Sequence, residues 1–210
     1  MKEQIYTIHI NEAFDASDEC PLCRLTSNRK NELYEYILGP AMMEPDVRVE
    51  TNKKGFCKNH LQGMQERQNV LPLALIIESL LMEINKNVEK AMTKQAKSCY
   101  LCERELKYLK VLTSNIAHLW GKEPQFARKF ESIEGFCLQH AGAMCDIALK
   151  ELGKKRGMEF TRAVVKAAAR RSQELQDSVT GFCKSFDHRN TNVPFDKQAV
   201  EKACRWLTSS

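Results

Sequence analysis

The 210-residue chain has only nine glycines and six prolines, too few turn residues for an all-β fold of many short strands. It also has no apolar run near the ~20 residues that a membrane-spanning helix needs. Its most apolar stretch, Val70 to Leu81, contains Pro72 and Glu78 and reads as a buried helix of a soluble protein with no membrane partner. The first ten residues lack both an apolar stretch of signal-peptide length and a small-residue cleavage site. The expectation is therefore a cytoplasmic protein, in a reducing compartment where close cysteine pairs bind metal or do redox chemistry more often than they form structural disulfides. No glycine-rich phosphate loop and no nucleophile paired with a base can be found, so no catalytic residue is assigned and the reading leans away from an enzyme. With 43% hydrophobic and 28% charged residues, the chain has enough apolar material to fold.

Cysteine is what the sequence has in quantity. Nine is an odd number, which fits poorly with a secreted framework of paired thiols. The spacing reveals a duplication. Cys20-Pro21-Leu22-Cys23 precedes Gly55-Phe56-Cys57-Lys58-Asn59-His60, and Cys99-Tyr100-Leu101-Cys102 precedes Gly135-Phe136-Cys137-Leu138-Gln139-His140. Both copies read C-x-L-C, a gap of near-equal length, then G-F-C-x-x-H, with a period of about eighty residues. The flanking periodicity is helical. Leu22, Leu25, Leu33 and Ile37 form a stripe ending at Gly39-Pro40, and Leu101, Tyr108, Leu109, Leu112, Ile116 and Leu119 form another ending at Trp120-Gly121. Each C-x-L-C and each G-F-C-x-x-H should open a helix, and each second motif is followed by a longer one. The first of these long helices is marked by Leu73, Ile76, Ile77, Leu80, Ile84, Val88 and Met92, and the second by Phe160, Val164 and Ala168.

The predicted fold is mainly α: two tandem helical units, each with a Cys3His metal site joining two helix N-termini, plus a short N-terminal extended segment. The β-branched alternation of Ile5 to Ile10 suggests a strand or an arm for that segment. The predicted boundaries are 1–96 for the first unit with its arm, 97–186 for the second, and 187–210 for a tail with a short helix. No low-complexity linker separates them, so one compact body is expected.

Zinc takes thiolate and imidazole ligands at the corners of a tetrahedron, and C-x-x-C and C-x-x-H each supply two corners. Taken in order along the chain, the sites would be Cys20, Cys23, Cys57 and His60, and separately Cys99, Cys102, Cys137 and His140. Two zinc ions per chain are expected, and four protein ligands leave no open position for substrate, which makes the sites structural. The function expected is a zinc-stabilised helical scaffold or interaction module with a protein partner. One alternative is an iron–sulfur or thiol-based redox protein, since three thiolates and an imidazole also ligate iron and Cys20-Pro21-Leu22-Cys23 looks like a thioredoxin-type dithiol. Cys145, Cys183 and Cys204 are expected to be buried small residues rather than ligands, and Gly181-Phe182-Cys183 could be a decayed half-site.

Charge adds a third reading. The net +5 lies entirely in the second half, and Lys150 to Arg171 has eight basic residues against Glu151 and Glu159. Arg162, Lys166 and Arg170, four apart, could meet phosphates as an anion or nucleic-acid contact. A solvated helix face is favoured over that, because the net charge is modest and no aromatic stands between these three residues.

Several segments together resemble a family of uncharacterised bacterial and archaeal proteins classed as a domain of unknown function. They are Ile5-Tyr6-Thr7-Ile8 with Asn11-Glu12-Ala13-Phe14, Cys20-Pro21-Leu22-Cys23, Gly39 to Arg48, Thr51 to Cys57, and the tail Phe186-Asp187-His188-Arg189-Asn190, which is similar to the family's F-D-x-R-N ending. His188 stands where that ending usually has an aromatic residue. The resemblance covers nearly the whole chain and implies no particular activity.

Overall fold

The computed structural model describes residues 2–16, 19–94, 99–187 and 194–208. The predicted boundary at 96/97 and His188 of the tail motif lie outside them. Among the described residues there are helices and no strands. They are α1 (Lys2–Asp15), α2 (Pro21–Ile37), a 3-10 turn (Pro40–Met43), α3 (Pro45–Lys54), α4 (Lys58–Glu66), α5 (Val70–Lys86), α6 (Val88–Lys94), α7 (Tyr100–Lys122), α8 (Pro124–Ser132), α9 (Leu138–Glu151), α10 (Lys154–Lys184) and α11 (Ala199–Thr208). None of the described helices is long and apolar enough to cross a membrane.

By its contacts the chain divides into two compact units, Met1–Leu25 with Lys110–Ser210, and Thr26–Leu109. These units do not coincide with the two sequence repeats, because the unit boundaries fall inside α2 and α7.

In the discontinuous unit, α10 packs on α9 and α11, and α1 packs on α8. The core is aromatic. Phe126, Phe130, Phe136 and Phe160 are fully buried, Phe14 packs tilted against Phe126 with centroids 4.8 Å apart, and Trp120 meets Phe160 at 5.6 Å. Each such ring contributes about 1.5–3 kcal/mol by leaving water. In the continuous unit, Leu33, Tyr34 and Ile37 of α2, Met64 of α4, Ile76 of α5 and the start of α7 (Tyr100, Leu101) share a second core.

Two expectations about local structure are corrected. The predicted N-terminal extended segment is helical: α1 reaches Asp15, and Ile10, Ala13 and Phe14 are buried at helical spacing while Ile8 faces solvent. Docking of Phe14 into the phenylalanine cluster outweighs the strand preference of the isoleucines. The expected buried helix at Val70–Leu81 is a helix, but it buries only one edge. Ile76 is buried and Leu73 and Leu80 pack partly on the core, whereas Val70, Leu71, Ile77, Leu81 and Met82 are exposed. The apolar stripe expected to continue to Met92 is broken at Asn87, whose side chain accepts the backbone N–H of Lys90 at 2.8 Å and so caps α6.

Candidate metal centres

The eight candidate ligands form two groups of four, each with its ligand atoms all within 4.8 Å of one another: Cys20, Cys23, Cys137 and His140, and Cys57, His60, Cys99 and Cys102. The same eight residues come together, but not in the order along the chain that the spacing suggested. Each site joins the C-x-L-C of one repeat to the G-F-C-x-x-H of the other. The first group lies wholly in the discontinuous unit and the second wholly in the continuous one. A helix is a rod of about 1.5 Å per residue, so α2 and α7 carry their first-turn cysteines away from the residues at their own last turns. Order along the chain is a poor guide because loop closure costs little: stretching a 34-residue loop to the 114 residues between Cys23 and Cys137 adds only about 1 kcal/mol.

All four ligand pairs are built in one way. The first cysteine of each pair is the N-cap of a helix, and its carbonyl accepts the first intrahelical bond: Cys20 from Arg24 N (3.3 Å), Cys57 from Leu61 N (3.0 Å), Cys99 from Glu103 N (3.1 Å) and Cys137 from Ala141 N (2.9 Å). The second ligand is then residue N3, the position that an N-cap side chain reaches. Cys137 shows this directly, since its sulfur accepts the backbone N–H of His140 at 3.4 Å. Each site therefore receives two helix N-termini, whose unpaired N–H groups and dipoles stabilise thiolates.

The distances lie close to the edges of a tetrahedron around one ion. Zn–S near 2.3 Å and Zn–N near 2.0 Å give edges of about 3.8 Å between sulfurs and about 3.5 Å between sulfur and nitrogen. Cys57 and Cys102 sulfurs stand 3.8 Å apart, and His60 Nδ1 lies 3.2, 3.3 and 3.4 Å from Cys57, Cys99 and Cys102. Cys23 and Cys137 sulfurs stand 3.7 Å apart, and His140 Nδ1 lies 3.1, 3.3 and 3.8 Å from Cys137, Cys23 and Cys20. The cysteines form no disulfides.

The glycine turns are held differently in the two sites. Gly55 and Gly135 both have positive φ, 69° and 116°. In the continuous unit, Tyr100 N donates to Gly55 O at 3.0 Å, tying the turn to the first turn of α7. The equivalent residue in the other repeat is Pro21, which has no N–H. There the turn is held from elsewhere: Trp206 Nε1 donates to Phe136 O at 2.8 Å, Arg170 donates to the carbonyls of Glu131 and Ile133, and Arg171 pairs with Glu134 at 2.7 Å.

The sites also differ in charge and access. His60 is buried, and its Nε2 lies 3.1 Å from Glu105 Oε1. Nδ1 is thereby left facing the sulfurs. Burial alone would push the His60 ring down, but its bonds to Cys99 and Glu105 prevail and raise it to about 10. Burial pushes Cys99 up, yet the bond to His60 and the backbone N–H groups of Cys102 and Cys57 bring it down to about 6. Cys102, next to that thiolate, is pushed up to about 12 by desolvation of its sulfur and then by Cys99. His140 is raised to about 9, its bonds to Cys137 and Cys23 outweighing burial. Cys20 is held well above the usual thiol range by its bonds to Cys137 and Cys23 and by burial. Sequence reasoning missed Glu105. Its signal was its position three residues after Cys102, one turn further along the same helix face.

The other candidates lie apart from the sites. Cys145 is half-buried, while Cys183 and Cys204 are exposed rather than buried. Gly181-Phe182-Cys183 lies inside the last turns of α10, not ahead of a helix, so it does not form a half-site. Arg162, Lys166 and Arg170 do lie on α10, all three exposed. Arg170 is engaged with the backbone that leads into Cys137.

The family model for a family of unknown function, DUF6062, matches residues 1–97 and again residues 86–210. The chain belongs to DUF6062. The double match repeats the duplication seen in the C-x-L-C and G-F-C-x-x-H motifs. No curated protein and no solved structure matches this DUF6062 chain. The two Cys3His groups fit a metal-binding structural role.

Proposed function

We propose that this DUF6062 protein is a scaffold or interaction protein whose two units are each pinned by one structural zinc ion. The observation that supports the reading is the set of sulfur–sulfur and sulfur–nitrogen distances, which lie within about 0.4 Å of the edges of a single-ion tetrahedron in both groups. A four-iron cluster puts each ligand on a different iron, so ligand atoms gathered within 4.8 Å favour one ion. With three thiolates and an imidazole bound, no coordination position is left for substrate, and the metal's contribution is to folding. Cys20, Cys23, Cys137 and His140 would join the starts of α2 and α9. Cys57, His60, Cys99 and Cys102 would join the starts of α4 and α7. The exposed apolar edge of α5 supports an interaction role.

Elemental analysis of anaerobically purified protein tests the proposal. About two zinc ions per 24.1 kDa chain in a colourless sample are expected. Well under one metal per chain would refute it, and a coloured sample rich in iron would replace zinc with iron.

A further inference from the structure

We propose that Cys102 is an oxidation site, at which hydrogen peroxide converts the metal centre of the continuous unit into a Cys57–Cys102 disulfide while the centre of the discontinuous unit keeps its metal. The proposal rests on the zinc reading of the two centres given above. Of the six candidate cysteine ligands, Cys102 is the exposed one. Cys20, Cys23 and Cys57 are half-buried, and Cys99 and Cys137 are buried. A thiolate is both metal ligand and nucleophile, and its oxidation follows thiolate character and access. Cys23 stands in the other repeat where Cys102 stands here, so two centres with the same ligand types differ in access at that corner.

The surroundings of the sulfurs select the partner. Cys57 and Cys102 sulfurs are 3.8 Å apart in an exposed contact and need to close to about 2.05 Å. Cys99 is buried, and its sulfur accepts the backbone N–H groups of Cys102 and Cys57, which hold it in place. In the first step the Cys102 sulfur attacks one peroxide oxygen. The S–O bond forms, the O–O bond breaks, and the departing hydroxide takes up a proton to become water. In the second step the Cys57 sulfur attacks that of Cys102, the S–S bond forms, and the sulfenic hydroxyl leaves with another proton as a second water. Two electrons have then passed from the two sulfurs to the peroxide. Cys99 and His60 remain as ligands, where a structural zinc takes four. The disulfide takes over the cross-link of the metal: Cys57 is the N-cap of α4 and Cys102 lies in the first turn of α7, so the two helix starts stay joined and a thiol reductant restores the site.

The test is zinc release from the full-length protein loaded with two metal equivalents, treated with hydrogen peroxide beside a chromophoric zinc indicator. A Cys183→Ser, Cys204→Ser background removes the other exposed thiols. One zinc should leave first and the second about tenfold more slowly, because the covered centre has to open before it reacts. Peptide mapping after the first phase should find a Cys57–Cys102 disulfide with Cys20, Cys23 and Cys137 still thiols, and a thiol reductant should return the zinc. Cys102→His, which keeps four ligands but no sulfur at the open corner, should abolish the fast phase. If that variant holds no metal in its site, the mapping of the parent protein decides alone. Release of both zinc ions together, a first disulfide among Cys20, Cys23 and Cys137, or a Cys99–Cys102 link would overturn the proposal. Metal content measured before any oxidant tests the zinc reading separately. If that content is nil, the free thiols are oxidised in the same way, and a first disulfide among the six ligand cysteines other than Cys57–Cys102 still overturns the assignment.

Discussion

Replacing Glu105 with alanine should loosen one metal ion and leave the other untouched. His60 is buried, and its Nε2 is 3.1 Å from Glu105 Oε1. The carboxylate thereby fixes the tautomer, turns Nδ1 toward the three sulfurs and makes it a better donor. Outer carboxylates of this kind are worth about 10–100-fold in metal affinity, or about 1.4–2.8 kcal/mol at 1.4 kcal/mol per tenfold. Among the described residues His140 has no carboxylate partner, and Thr26 stands in the other repeat where Glu105 stands here, so that site should be indifferent. Chelator competition on protein loaded with two metal equivalents gives two affinities. Glu105→Ala should weaken one of them by 10–100-fold, and Glu105→Gln, which keeps an acceptor oxygen, should recover part of the loss. Repeating the titration in a Cys137→Ser background assigns the affected phase to Cys57, His60, Cys99 and Cys102. Equal weakening of both phases, or of neither, would refute the reasoning.

Three further predictions follow from the same geometry. In the unloaded site, His60 is raised to about 10 and Cys102 to about 12, so both hold protons at pH 7 and both must release them to bind metal. Affinity should then rise with pH by up to about 100-fold per unit above neutrality, and calorimetry in buffers of different ionisation enthalpy should show net proton release; none would contradict the account. At Gly135 a Cβ would meet Arg171 Cβ at 2.8 Å and Ala167 O at 3.3 Å, with φ at +116°. Gly135→Ala should therefore cost about 2–6 kcal/mol in denaturant unfolding, backbone strain plus overpacking, while Gly55→Ala, with nothing within 4 Å, should cost only the strain of about 1–3 kcal/mol. Equal costs would show that contact with α10 is immaterial. Arg170→Ala should lose about 1–3 kcal/mol through its two carbonyl bonds, and Arg162→Ala less than about 0.5 kcal/mol, by the same measurement.

Much of the site is legible in the sequence, because a helix N-cap and its N3 residue are three apart, and C-x-x-C and C-x-x-H carry that spacing in plain view. The helical class followed from the stripes of Leu101 to Leu119 and Leu22 to Ile37. The pairing of motifs was hidden, since nothing in a spacing of 34 or 35 residues says whether two helix starts face each other or face the other repeat's. Ile5 to Ile10 misled because local strand preference carries no information about Phe14 docking among aromatics more than a hundred residues away. In α5, hydropathy marked an apolar helix, but it does not say which of its edges meets the core: Leu73, Ile76 and Leu80 do, and Val70, Leu71, Ile77, Leu81 and Met82 do not.

The most direct test of the crossed pairing is metal stoichiometry in two double variants. Cys20→Ser with Cys137→Ser damages a single crossed site and should leave one tightly held metal per chain. Cys20→Ser with Cys57→Ser damages both crossed sites and should leave none. The opposite result, none in the first variant and one in the second, would show that each repeat closes its own site and would contradict the account.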